Sequence, residues 1–380
     1  MTRIGFAYNQ KPETAVGLVS AEKSQPRSDD KPPSIDDAYA EWDSATTIDA
    51  VASALSAYGT VIRLEATADF PERLRAERPD IVFNIAEGLY GTNREAHVPA
   101  ICEFFDVPYS GSDPFTLSLC LHKAKTKDFL TAHGIPNAPF TLIDSRRALE
   151  TLLRNENPRF PLPSSRFPLF VKPVQEGSSK GITERNFVRT LGELDAQVQF
   201  LLDSYEQPVI VEAFLPGAEF TCGVLGNGAS ARVLPLVGMN FGSLPAGAVP
   251  IYGYEAKWIW DVPSNPLDIF ECPARVDRSL QLAIEDVVLR AYRVLGCRDW
   301  SRIDVRLDSA GVPNIVEVNP LPGILPDPAD NSCLPKAARA AGLSYDALIQ
   351  AALLHAAERT GVRIESLDAE ADRRPSTLVA

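Results

Sequence analysis

Arg302-Ile-Asp-Val-Arg-Leu307 and Asn314-Ile-Val-Glu-Val-Asn319 read as two short strands on either side of a turn that contains Gly311. Side chains two apart on a strand share a face, so Arg302 goes with Asp304, and Glu317 with Asn319. With the turn centred between Ala310 and Gly311, Asp304 falls opposite Glu317 and Arg302 opposite Asn319. Carboxylates directly opposite one another repel and weaken a sheet. A divalent cation between them reverses that cost, and an oxygen-only donor set suits Mg²⁺, with phosphates completing its shell. The competing reading is a solvated hairpin with its charges in water. Ile303, Val305, Val316 and Val318 predict a buried opposite face, which is compatible with both.

Two segments upstream are suggestive only in company. Phe170-Val-Lys-Pro173 leads into Glu176-Gly-Ser-Ser-Lys-Gly181, a lysine at a strand end followed by a Gly/Ser loop. An ammonium and loop N–H groups can contact phosphates, although Gly/Ser turns are common and no P-loop pattern is present. Val209-Ile-Val-Glu-Ala-Phe-Leu215, with Glu219 soon after, offers backbone groups for an adenine edge and a carboxylate for ribose hydroxyls. By itself it is a plain buried strand.

The surrounding pattern alternates strands and helices. Strands are expected at 3–8, 60–64, 81–85 and 107–110, and helices at about 48–58, 71–78, 96–105 and 116–133, which predicts a doubly wound parallel sheet at the N-terminal end. The Pro-, Ser- and charge-rich stretch 9–43 is too long for an ordinary connection and reads as a disordered or functional loop. Further strands are expected at 167–172 and 209–215, and helices near 190–205, 280–294 and 345–360. The division is an N-terminal α/β domain (1–118), a central unit (119–225), a C-terminal unit (226–362) and a loose tail (363–380).

Composition narrows the partners. The 380 residues carry a formal net charge of −13, which argues against nucleic acid and anionic membranes as partners. Six cysteines without C-x-x-C spacing and four scattered histidines suggest neither a zinc site nor a disulfide framework. No segment approaches the roughly 18 apolar residues of a membrane span. A soluble cytoplasmic protein is expected.

Taken together, the pieces resemble the ATP-grasp superfamily, and within it the D-alanine–D-alanine ligase family. The resemblance runs from about Ile81 to about Leu354. It rests on Val82-Phe-Asn84, Tyr109-Ser-Gly-Ser112, Lys172 with Glu176-Gly-Ser-Ser179, Glu212 with Gly217-Ala-Glu-Phe-Thr221, Tyr254-Glu-Ala-Lys257, Trp300-Ser-Arg-Ile-Asp304 and Glu317-Val-Asn-Pro-Leu-Pro-Gly323. It implies an ATP-grasp fold and an ATP-dependent ligase that activates a carboxylate as an acyl phosphate and joins it to an amine. The cofactors implied are ATP and Mg²⁺, with Mn²⁺ as a substitute. Small amino-acid-like substrates are implied, and a homodimer is allowed.

By the same resemblance Lys123, Lys172 and Lys257 look like phosphate-contacting lysines, with Ser179 in the loop beside them. Glu212, Ala213, Phe214 and Leu215 look like the adenine strand, and Glu219 like the ribose acid. Asp304, Glu317 and Asn319 look like the Mg²⁺ ligands, Arg302 and the N–H of Gly323 like the oxyanion donors, and Ser332 like the residue that holds the second substrate's carboxylate. The loop 176–181 would close as a lid.

Three positions depart from the family pattern. Glu41-Trp-Asp-Ser44 stands where the family carries a Glu-Val-Ser-like motif, which makes Glu41 a candidate for the first substrate's ammonium. Glu87-Gly88 replaces a His-Gly, and Trp258 replaces a tyrosine whose partner Ser178 is retained. The readings that compete are a D-alanine–D-alanine ligase, the same chemistry on another amino acid or natural-product carboxylate, and a non-catalytic nucleotide-binding module.

Overall fold

The computed structural model describes residues 1–12, 39–157, 160–161, 166–253, 256, 260 and 267–367. Three sheets follow one another along the chain.

The first is built from β1 (Arg3–Tyr8), α1 (Ala45–Ser56), β2 (Thr60–Glu65), α2 (Phe70–Glu77), β3 (Ile81–Asn84) and α3 (His97–Phe104). Its strands are parallel in the order β2-β1-β3, and β1 and β3 are buried almost throughout, as strands covered on both faces must be. The expected strand at 107–110 is reduced to a single parallel bridge between Val82 and Tyr109. Ser44 starts α1 by accepting from Thr47 N, which satisfies a donor that has no partner inside the helix.

The helix expected over 116–133 is two helices, α4 (Pro114–Leu121) and α5 (Lys123–Ala132). His122, in an extended conformation, ends the first and caps the second through its ring, which accepts from Lys125 N. A continuous apolar pattern hides a break that one residue's side chain makes.

The second sheet is antiparallel, in the order β4-β7-β5-β6, from β4 (Phe140–Ile143), α6 (Arg146–Leu153), β5 (Leu169–Pro173), β6 (Phe187–Val188), α7 (Leu191–Tyr205) and β7 (Val209–Ala213). The third contains β8 (Glu219–Leu225), β9 (Arg232–Val233), β10 (Val237–Met239), β11 (Phe270–Glu271), β12 (Trp300–Leu307) and β13 (Pro313–Asn319). Helix α8 (Arg278–Val294) lies against it, with α9 (Cys333–Ala340) and α10 (Tyr345–Thr360) following.

The apolar stripe of α1 (Ile48, Val51, Leu55) shares one core with Leu348, Ile349 and Leu353 of α10. The first sheet is thus closed by α10. Asp299, fully buried, ties the same region together. Its Oδ2 accepts from Gly111 N (2.8 Å) and from Arg359 Nη2 (2.8 Å), while Oδ1 accepts from Asn227 Nδ2 (2.8 Å).

Candidate active site

The β12–β13 hairpin has the register expected at its business end: Arg302 lies opposite Asn319 and Asp304 opposite Glu317. A bulge follows immediately, so Val305 pairs with Ile315. Val316 is therefore only partly buried, and Ile315 takes the core position expected of it. An extra residue in one strand re-aims the side chains beyond it. Strict alternation could not anticipate that.

Each of the facing carboxylates has a cation of its own. Asp304 accepts from Arg302 Nη2 (3.1 Å) and from Thr221 Oγ1 (2.9 Å), and Glu317 Oε1 lies 2.8 Å from Lys123 Nζ. Burial pushes Glu317 up, but Lys123, Lys172 and Arg302 outweigh it and bring the carboxyl down to about 2. Asp304 moves the other way, raised by burial and by Glu317 against the pull of Arg302. With the Asn319 amide turned so that its oxygen faces Arg302, it accepts from Nη2 and from Nε (3.3 Å). Two carboxylates and an amide oxygen on one sheet face form an oxygen-only donor set that fits Mg²⁺.

Lysines converge from the second sheet and α5. Lys123, the first residue of α5, also donates to the carbonyl of Glu176 (2.6 Å). Lys172 Nζ lies 2.7 Å from Glu212 Oε1, and Lys127 Nζ is 2.9 Å from Oε2, a close charge contact whose geometry falls short of a hydrogen bond. Burial raises Glu212, and the two lysines together bring it down to about 2. The strand that carries Glu212 ends at Ala213. Phe214 donates its N–H to Pro168 O (3.3 Å), and Leu215 is buried beyond it. Glu219 is bound by Arg306 (2.6 Å), whose guanidinium lies over the rings of Phe214 and Phe241.

Loop 176–181 is held from several directions. Glu41 accepts from Arg94 Nη2 (2.9 Å), Gly177 N (3.0 Å) and Lys180 Nζ (3.2 Å), and Lys180 also pairs with Glu176 (2.7 Å). Residue 177 must be glycine for this, because a Cβ there would collide with Glu41 Oε1. Ser178 and Ser179 both adopt the left-handed region (φ 50° and 61°), and Ser179 Oγ donates to Tyr252 O (3.3 Å). Lys257 and Trp258 lie outside the described residues, as do Asp36 and Asp37 of the long stretch before Glu41.

A small open cavity sits between this loop's anchor and the end of β13, lined by Glu41, Asp43, Glu87, Trp300 and Gly323 among others. Ser332 supports its floor: the hydroxyl accepts from Leu325 N (3.2 Å) and donates to Gly323 O (3.1 Å). The turn that carries Glu87 is fixed by Asn9, whose Oδ1 accepts from Gly88 N (2.9 Å), and by Trp42, which donates to Gly88 O (2.9 Å). Gly88 has φ 70°, and a side chain there would meet Arg94 O at 2.7 Å.

Lys123 thus meets the hairpin at Glu317 and the loop at Glu176, Glu41 meets the loop at Gly177, and Gly323 lines a cavity with Glu41. Sequence reasoning missed Arg94, Lys127, Lys180 and Arg306. Lys127 stands one helical turn after Lys123, and Arg306 alternates with Arg302 and Asp304, so both had a periodic signal. Arg94 had none.

A family model described as the D-ala D-ala ligase C-terminus matches residues 129–354, more than half of the chain. A D-alanine–D-alanine ligase of Pelotomaculum thermopropionicum is 30% identical over 302 residues, covering 80% of this chain and 88% of that protein. An uncharacterized protein, y4sG of Sinorhizobium fredii, is 33% identical over 278 residues, 73% of this chain and 75% of its own. Among solved structures, a D-alanine–D-alanine ligase from Bacillus anthracis complexed with ATP superposes with a TM-score of 0.63 at 18% identity, covering 96% of this chain and 99% of that one. A D-Ala:D-Ser ligase from Enterococcus faecalis gives 0.64 at 20%, with 93% and 99% covered. At such identities the structural likeness speaks for the fold, which is ATP-grasp. Sequence carries the closer relation, and by it this chain belongs to the D-alanine–D-alanine ligase family.

Proposed function

We propose that the chain is an ATP-dependent carboxylate–amine ligase that forms a peptide-type bond through an acyl phosphate, with small amino-acid-like substrates and D-alanine as the first candidate. The observation that carries this is the sheet face of Arg302, Asp304, Glu317 and Asn319, with Lys123 reaching Glu317.

Mg²⁺, when held by Asp304, Glu317 and Asn319, offsets the charge of the ATP phosphates. Lys123 and Lys172 bring positive charge to the same place for transfer of the γ-phosphate to a carboxylate. Arg302 and the N–H of Gly323 stabilise the oxyanion that forms when the amine attacks. The segment 212–215 receives the adenine and Glu219 the ribose, with Lys257 as a further phosphate contact. Loop 176–181 acts as a lid that keeps water from the acyl phosphate, and Ser332, through Gly323, shapes the site for the second substrate's carboxylate. A cytoplasmic location, a homodimer and a place in peptidoglycan precursor synthesis belong to the same reading.

A second reading keeps the chemistry and changes the substrate. It is favoured by Glu87-Gly88, where the family has a histidine, because Glu87 lines the cavity beside Gly323. An ADP-release screen over D- and L-amino acids, singly and in pairs, tests both. Release with D-alanine alone supports the first reading, and release only with other substrates the second. ATP binding with no ADP from any substrate would leave a nucleotide-binding module.

A further inference from the structure

Glu41 is the acid that its position before α1 nominates for a substrate ammonium, yet its capacity is already taken. Arg94 contacts both of its oxygens (2.9 and 3.1 Å), Lys180 lies 3.2 Å from one and Gly177 N 3.0 Å from the other. A carboxylate beside two cations and a backbone donor has little left to offer a third cation. Its surroundings hold its carboxyl below the usual range, since Arg94 and Lys180 overcome the effect of burial.

Other carboxyls at the same cavity are in the opposite condition. Glu87 and Asp43 both line it, and among the described residues neither makes a hydrogen bond or an ion pair through its side chain. Glu95, about nine-tenths buried and likewise unpartnered, is the strongest charge acting on Glu87. Lys11 acts on Asp43 and Arg94 on Glu87, but neither approaches to pairing distance. Burial and neighbouring acids push Glu87 well above the ordinary carboxylate range, and burial pushes Asp43 up to about 7. Both residues are part-buried, and a carboxylate drawn partly out of water without a partner loses some of its solvation. A guest with positive charge and hydrogen-bond donors removes that cost, and an ammonium brings three N–H donors. Gly323, the proposed oxyanion donor, lines the same small cavity as Glu87 and Asp43.

We infer that Glu87, with Asp43 beside it, accepts the ammonium group of the substrate whose carboxylate is activated, and that Glu41 instead fastens loop 176–181. The inference rests on the ligase reading and names the residues that select for an amine there. It requires the substrate to be an amino acid rather than a hydroxy acid. A protonated Glu87 acting as a hydrogen-bond donor would give the reverse preference.

The test compares ADP release by the full chain, with ATP and Mg²⁺, on D- and L-amino acids and on their 2-hydroxy-acid counterparts. The wild type should favour an amino acid over its hydroxy acid by at least about tenfold in kcat/KM. In Glu87→Gln the amino acid's KM should rise by at least about tenfold, with the KM for ATP unchanged and the amino-over-hydroxy preference collapsing. Asp43→Asn should shift both in the same direction by less. A wild-type preference for hydroxy acids, or a preference that survives in both variants, overturns the inference. If the wild type releases no ADP with any of these compounds, the ligase reading fails by itself. The cavity is then read by calorimetric binding of the same compounds: weakening in Glu87→Gln for the amino acid but not for its hydroxy acid upholds Glu87 as the ammonium acceptor, and no binding to the wild type overturns it.

Discussion

Lys123 Nζ lies 2.8 Å from Glu317 Oε1, and the same ammonium donates to the carbonyl of Glu176 at 2.6 Å. One lysine thus spans the hairpin and the loop that faces it. Replacing Glu317 by Gln keeps shape and removes charge, so the fold should survive while the capacity to hold Mg²⁺ is lost. ADP formation should fall by about 10²–10³-fold, measured at saturating Mg²⁺ alongside a melting curve. Near-normal turnover would remove Glu317 from the metal site.

The fastening of loop 176–181 should be visible to a protease. Lys180→Met removes the ammonium that joins Glu41 and Glu176, and cleavage within the loop should rise several-fold as local opening becomes easier. ATP with Mg²⁺ should protect the wild type if the loop is a lid. Cleavage that is the same in the variant, and the same with nucleotide, would count against both ideas.

Asp299 is fully buried and bound by Arg359, Asn227 and Gly111 N. Asp299→Ala strands the Arg359 guanidinium and opens those donors, so stability should drop by about 3–5 kcal/mol. Denaturant titration reads this directly, and a loss below about 1 kcal/mol would show the pair to be replaceable by water.

Glu212 predicts an acid limb. Its carboxyl is depressed from 4.5 to about 2 in the folded chain. A depressed acid contributes stability that is present above its unfolded pKa and is lost as pH falls through the folded value, here between 4.5 and about 2. Glu212→Gln should therefore be less stable at pH 7, where Lys127 and Lys172 lose their shared counter-charge. The difference from wild type should shrink as the pH is lowered through that window. A constant difference would mean that Glu212 is not the titrating group.

What could be read beforehand was whatever obeys a short period. The strands 3–8 and 60–64, the helix 345–360 and the facing of Asp304 with Glu317 follow from alternation and helical spacing, and each is found within a residue or so of its expected place. The break at His122 and the bulge after Asp304 were illegible because each depends on one local hydrogen-bonding choice within an unbroken apolar pattern. The resemblance could nominate Glu41 as a substrate acid from its place before α1. It could not show that Arg94 and Lys180 already claim that carboxylate, since those partners stand 53 and 139 positions away.

Helix α10, whose Leu348, Ile349 and Leu353 complete the core around Ile48, Val51 and Leu55, stands after both other sheets in the chain and leaves a ribosome long after α1. During synthesis the amino-terminal sheet must wait, with one flank of α1 bare, until α10 has been made. Domains usually fold as they emerge, amino-terminal part first. Here that order is inverted for the first hundred or so residues, and a nascent chain halted before α10 should need a chaperone to shelter the surface that α10 would later cover.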